Sequence, residues 1–266
     1  MSARPLPFDA RFIGMIHLDP LPGAPDYAGD IESVAADAAE AARALAEGGV
    51  TAIMLENFND APFYKDHLPP ETVAALTRCA LAVRGAAPAV PLGVNALRND
   101  GPAALAVAVA VGARFIRVNV LCGAMVTDQG LIEGCAAELI RMRRALAADV
   151  AILADVGVKH AQPLGGFDLA QSAKDTALRG RADALIVSGS GTGAPTPQGR
   201  IDAVRAAVPG VPVLVGSGTT VETVDPAGAD GFIVGTALKR DGRVDAERVR
   251  AMARALGLGG ATRAGG

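Results

Sequence analysis

Eight short apolar runs, each followed by an alanine-rich stretch of helical spacing, organise the 266-residue chain. The runs are FIGMIHL (12–18), AIMLENF (52–58), PLGVNAL (91–97), FIRVNVL (115–121), AILADVG (151–157), ALIVSGS (184–190), PVLVGSG (212–218) and GFIVGTAL (231–238). Each is nearly continuous in apolar residues at its start and turns polar or glycine-rich at its end. A strand with one wet face would alternate; unbroken apolar runs belong to a parallel sheet covered on both faces. Helical patterns fill the intervals at 31–48, 70–86, 101–111, 131–147, 168–179, 198–208, 220–226 and 244–256. Eight such units in this length predict an α/β fold, a single (β/α)8 TIM barrel over 11–256. An open doubly wound sheet would use fewer strands and reverse their order. One domain is expected over 1–266, with 257–266 as a flexible C-terminal tail. ADALIV (182–187) and ADGFIV (229–234) echo one another, as repeated units would.

Composition narrows the function classes. Half of the residues are hydrophobic, a fifth are charged and 3% are aromatic, so the core is built from Ala, Val, Leu and Ile. The net charge of −3 comes with scattered basic residues, which argues against a nucleic-acid partner. Cys79, Cys122 and Cys135 are odd in number and lack metal-site spacing, as expected of a reducing compartment. The start, MSARPLPFDARF, has no apolar core of signal-peptide type, and no apolar run is long enough for a transmembrane segment. A cytoplasmic location is expected, and a homo-oligomer is compatible with the fold.

In a barrel, the polar strand ends converge on one face, where βα loops carry function. His17, Glu56, Asn57, Asn95, Asn119, Asp155, Ser188 and Ser217 lie there. The loops after strands seven and eight, GSGTT (216–220) and GTALK (235–239), have the composition of a phosphate cradle. Gly216, Gly218 and Gly235 let backbone N–H groups approach an anion, Ser217, Thr219 and Thr236 add hydroxyls, and Lys239 adds charge. The competing reading makes these glycines tight turns. Ser188 and Ser190 belong to a loop, SGSGTGAPT, that either closes over a ligand or only connects; it lacks the third glycine of a dinucleotide fingerprint.

ADVGVKH (154–160) carries the densest chemistry. Asp155 and Lys159, four apart, share a side if the strand continues. Lys159 is then an acid, a base, a nucleophile or an ion-pair partner. His17, Glu56, Asp155 and Lys159 form the acid–base or positioning set. His17, Glu56, Asp155 and His160 also admit a divalent metal, although no HxH or HxxE chelate occurs; the cofactor stays open. Arg117 and Asn119 share an inward face, and a buried Arg117 requires Glu56 or Asp155 as its counter-ion. Asp128 reaches the mouth or caps the next helix. Asn57 and Asn95 orient a ligand or tie barrel layers together. The FNDAPFYKDHLP loop (58–69) is a candidate lid.

The stretches GMIHLDPLPGAP, LENFNDAPF, GVNALRND, FIRVNVLCGAMVTDQG, ILADVGVKHAQPL, DALIVSGSGTGAPT, VLVGSGTT and DGFIVGTALKRDG follow in order from 14 to 242. Through them the chain resembles the BtpA family, which is named for a protein needed to accumulate photosystem I and includes SgcQ-like relatives. The resemblance implies a barrel of the phosphate-binding type and no particular reaction. The leading expectation is an enzyme that moves protons on a small phosphorylated molecule, as an isomerase or lyase. The alternatives are a non-enzymatic assembly or stability factor for a membrane complex such as photosystem I, and a phosphate-site protein that binds without turnover.

Overall fold

The computed structural model describes residues 5–189 and 195–258. Ser190, most of its loop and the 259–266 part of the expected tail lie outside the described residues. Eight parallel strands close into a barrel: β1 (Phe12–His17), β2 (Ala52–Glu56), β3 (Leu92–Asn95), β4 (Phe115–Val118), β5 (Ala151–Asp155), β6 (Ala184–Val187), β7 (Val213–Val215) and β8 (Gly231–Val234). Each pairs with its neighbour in sequence, and β8 returns to β1 with Phe12 opposite Phe232. Around them lie α1 (Ile31–Gly48), α2 (Pro70–Ala86), α3 (Gly101–Val111), α4 (Ala136–Ala145), α5 (Leu169–Lys174), α6 (Gln198–Ala207) and α7 (Ala246–Ala255). Asp30, Asp100, Asp168 and Asp245 accept backbone N–H groups in the first turns of α1, α3, α5 and α7, supplying the capping that helix starts need. No helix among the described residues is long and apolar enough to cross a membrane.

Two expected helices differ. Residues 220–226 make turns: the Thr220 N–H bonds to Thr223 Oγ1 at 3.0 Å, and Pro226 disfavours helix at the residue before it. The helix expected from 131 starts at 136. Before it, Ala124–Thr127 and Gly130–Glu133 form an antiparallel hairpin, joined by Gln162–Pro163 as a third strand. Val120, Met125, Ile132 and Val158 give this small sheet its own apolar core. The sheet roofs one side of the barrel mouth, and neither period nor propensity announced it.

The sequence echo has a structural meaning. Asp183 and Asp230 each precede a strand, and each carboxylate accepts an N–H near the start of a neighbouring strand, at Ile152 and Val213 (2.8 Å both). Arg143 and Arg205 pair with them.

Alternation along the strands sorts the core into two layers. Ile13, Met15, Ala52, Met54, Phe115, Ala151, Leu153, Ala184, Ile186, Leu214 and Ile233 fill the barrel interior, while the other face packs against the helices. Gly93 leaves the room Phe115 occupies, since a Cβ there would lie 2.1 Å from the ring. Phe8 stacks on Phe115 at 4.3 Å and closes the bottom. One more step of the same alternation, toward the strand ends, reaches His17, Glu56, Asn95, Arg117, Asp155, Ser188, Gly216 and Gly235. The interior thus ends in a polar layer.

Candidate functional site

His17 closes β1 under Phe58, with which it stacks at 4.5 Å. Its Nε2 lies 3.8 Å from Glu56 Oε1, and its Nδ1 lies 3.3 Å from Lys239 Nζ. An ammonium only donates, so Nδ1 accepts and the ring proton sits on Nε2, facing Glu56. Gly235 permits this arrangement: a Cβ there would come within 3.0 Å of His17 Cε1. Glu56 Oε2 in turn accepts from Asn95 Nδ2 at 2.5 Å. Burial pulls the His17 pKa down from 6.5 to about 4, and the charges of Lys239, Lys159 and Arg117 act in the same direction against Glu56. His17 is therefore neutral near pH 7.

That shift sets a pH dependence. Between about 4 and 6.5 the unfolded chain holds a proton on His17 that the folded protein refuses. Stability contributed by neutral His17 is complete above the unfolded value and is lost as pH falls through this window. The expected span is on the order of 3 kcal/mol. Urea unfolding from pH 4 to 7 should show this slope in wild type and a flatter one in His17→Asn; equal slopes would contradict the burial account.

Beside this pair, Arg117 donates from Nε and Nη2 to the two oxygens of Asp155, both at 2.9 Å, and Asn119 Nδ2 adds a third hydrogen bond at 2.8 Å. Asp155, not Glu56, is thus the ion-pair partner of Arg117. Lys159 makes no ion pair with Asp155. β5 ends at Asp155 and the chain bends, so the strand geometry that would align the two does not extend to residue 159. Burial lowers the Lys159 pKa, as does nearby Arg117.

Two adjoining cavities open over this layer. The smaller, about 290 Å³, is walled by Gly216–Thr220 and Gly235–Ala237 and floored by His17. All five residues expected to hold phosphate, Gly216, Ser217, Gly218, Gly235 and Thr236, border it. The larger, about 670 Å³, is bordered by Asp19, Arg98, Asn119, Asp128, Gln129 and His160, among others. Glu56, Phe58, Arg117 and Lys159 line both cavities and form the waist between them.

Other expected residues fall elsewhere. Lys239 faces a separate cavity against α1 and reaches the site only through His17. Asn57 exchanges hydrogen bonds with Leu97 and donates to Asp60, so it ties loops together. Asn95 orients Glu56 and lines neither cavity. Asp128 sits in the hairpin turn and caps no helix; Cys135 occupies the position before α4. Ser188 borders a fourth cavity with Lys159 and Arg200, its Oγ buried without a partner among the described residues. The supposed lid is tethered, because Asp60 accepts from Leu21 N, Asn59 donates to Leu18 O and Leu68 N donates to Asp100. His17, Glu56, Asp155 and His160 do not gather as metal ligands: Asp155 is saturated by Arg117 and Asn119, and no group of three metal-binding side chains occurs among the described residues. Arg98, overlooked in the sequence, follows the buried strand in GVNALRND. An arginine placed between a strand end and the Asp100 cap was the available signal.

Against known proteins, a family model described as the BtpA family matches residues 9–257. The chain belongs to the BtpA family. The family likeness includes the Photosystem I biogenesis protein BtpA of Synechocystis, 47% identical over 93% of this chain and 88% of the relative. An uncharacterised Thermococcus kodakarensis protein is 49% identical over 88% of this chain and 89% of its own length. A Caenorhabditis elegans protein described as mitochondrial is 34% identical over 91% and 87%. Among solved structures, N-(5'-phosphoribosyl)anthranilate isomerase from Pyrococcus furiosus superposes with a TM-score of 0.55 at 12% identity, covering 93% of this chain and 98% of that one. KGPDC from Streptococcus mutans in complex with D-R5P gives 0.58 at 13% identity, with the same coverage. At such identities the likeness is one of barrel fold alone.

Proposed function

We propose that this BtpA-family barrel catalyses proton transfer on a small phosphorylated metabolite, as an isomerase or lyase. The observation that carries the reading is the waist. There the carboxylate of Glu56 stands between a loop cradle and a polar chamber, beside the neutral imidazole of His17 that floors the cradle. The Gly216 N–H is used by Val187 O and the Thr220 N–H by Thr223 Oγ1, which leaves the 217–219 turn for an anion. Thr236 faces it from the β8 loop. A phosphate held there puts the adjoining carbon chain across the waist. Glu56 removes the proton, the Nε2–H of His17 hydrogen-bonds the oxygen on which charge develops, and the Lys159 ammonium stabilises that charge. The Arg117–Asp155–Asn119 cluster fixes the wall behind them. The fold neighbours named for phosphoribosylanthranilate isomerase and for KGPDC with D-R5P agree with a phosphorylated substrate.

The Synechocystis relative's name favours a second reading, a factor in photosystem I assembly. Relatives in a nematode and in Thermococcus speak for a chemistry independent of any photosystem. Thermal denaturation against inorganic phosphate, sugar phosphates, nucleotides and divalent metals separates the two. A phosphorylated compound raises Tm by mass action, and the shift disappears in Ser217→Ala/Thr236→Val. If no phosphorylated compound shifts the wild type, the reading fails.

A further inference from the structure

Arg98 stands in the β3–α3 connection, 7% exposed, on the wall of the larger chamber. The other buried arginine, Arg117, has an acidic partner in Asp155. Arg98 has none. Among the described residues no carboxylate lies within 4.0 Å of its guanidinium, and the one hydrogen bond of its side chain there runs from Nη2 to the Lys159 carbonyl oxygen at 2.7 Å. The Lys159 ammonium borders the same chamber and is likewise without an ion pair among the described residues. A buried guanidinium whose nearest carboxylates, Asp155 and Asp128, lie beyond ion-pair distance is only partly compensated, and here it shares a chamber with a second cation that makes no ion pair among the described residues. Opposite charge supplied by a ligand relieves both. Asn119, which borders that chamber, adds an acceptor in its Oδ1, buried without a hydrogen-bond partner among the described residues.

We infer that the metabolite carries a second anionic group, a carboxylate, which Arg98 and Lys159 bind in the larger chamber, with a hydroxyl donated to Asn119 Oδ1. This rests on the phosphate cradle of the proposed function; together they specify a phosphorylated hydroxy acid. A carboxylate fits better than a second phosphate. The planar guanidinium matches it bidentately, and Asp19, Asp26 and Asp128 on the same chamber oppose a dianion.

The test is calorimetric binding of matched pairs: 6-phosphogluconate against glucose 6-phosphate, and 3-phosphoglycerate against glycerol 3-phosphate, with fructose 1,6-bisphosphate and gluconate as further probes. The expected result is a carboxylate-bearing member that binds about tenfold or more tightly than its counterpart. Arg98→Gln abolishes that advantage and leaves the counterpart's Kd unchanged. Equal binding within every pair, the bisphosphate binding best, or Arg98→Gln weakening both members alike would each overturn the inference. Arg98→Lys, which keeps the charge and loses the fork, serves if Arg98→Gln does not fold; the wild-type comparison needs no variant. Phosphate-dependent binding without carboxylate preference sinks this inference only. Arg98-dependent binding of gluconate, with no gain from phosphate, supports the carboxylate site and sinks the cradle.

Discussion

Asp155→Ala lowers the unfolding free energy by about 3–5 kcal/mol, the loss expected when one partner of a buried ion pair is removed. The carboxylate takes three hydrogen bonds from Arg117 and Asn119, and the side chains of the ion pair are 5% and 1% exposed. Its removal strands a guanidinium with no other ion pair among the described residues. Most of the loss is therefore the cost of an uncompensated charge, not the worth of the pair. Two variants separate those quantities. Asp155→Asn keeps one acceptor and loses less. Arg117→Met/Asp155→Leu removes both charges and regains most of the stability, because neither member of the pair is left charged without the other. Urea unfolding of the four proteins is the measurement. A loss below about 1 kcal/mol in Asp155→Ala, in the range of an exposed pair, would contradict the buried-pair account.

Glu56→Gln cuts turnover about 10²–10⁴-fold, the usual share of a positioned general base. The glutamine keeps its size and still accepts from Asn95, so ligand affinity and Tm change little. His17→Asn falls in the same range through loss of the Nε2–H donor. Its signature differs, since it also removes the pH-dependent stability between about 4 and 6.5. The cradle variants Ser217→Ala and Thr236→Val act chiefly on KM. If Glu56→Gln instead changed KM with kcat intact, Glu56 would be a binding group and the base would have to be sought elsewhere.

Much of the fold was legible because parallel strands buried on both faces announce themselves as apolar runs, and the run ends mark the mouth. His17, Glu56, Arg117 and Asp155 could be placed together because the same alternation that buries Ile13, Met54, Phe115 and Leu153 carries one step further to reach them. What escaped depends on closure or on local competition. The His17–Lys239 contact joins residues 222 apart in sequence, and only the return of β8 to β1 brings them together. The 124–133 hairpin was hidden because its pattern merges with that of α4, and the turns at 220–226 because threonine hydroxyls outcompete a helix there. Asn57 and Asn95 illustrate a different limit. An amide at a strand end looks the same in sequence whether it holds a ligand or another side chain.

Glu56 is placed to move a substrate proton at the waist. ¹H NMR of the protein in D₂O with a panel of phosphorylated metabolites, followed without isolating a product, measures that transfer. At least one compound is expected to lose a C–H signal or to convert with wild type, at a rate cut about 100-fold or more in folded Glu56→Gln. Compounds that bind wild type yet neither exchange nor convert, or a Glu56→Gln protein that retains the wild-type rate, would contradict it.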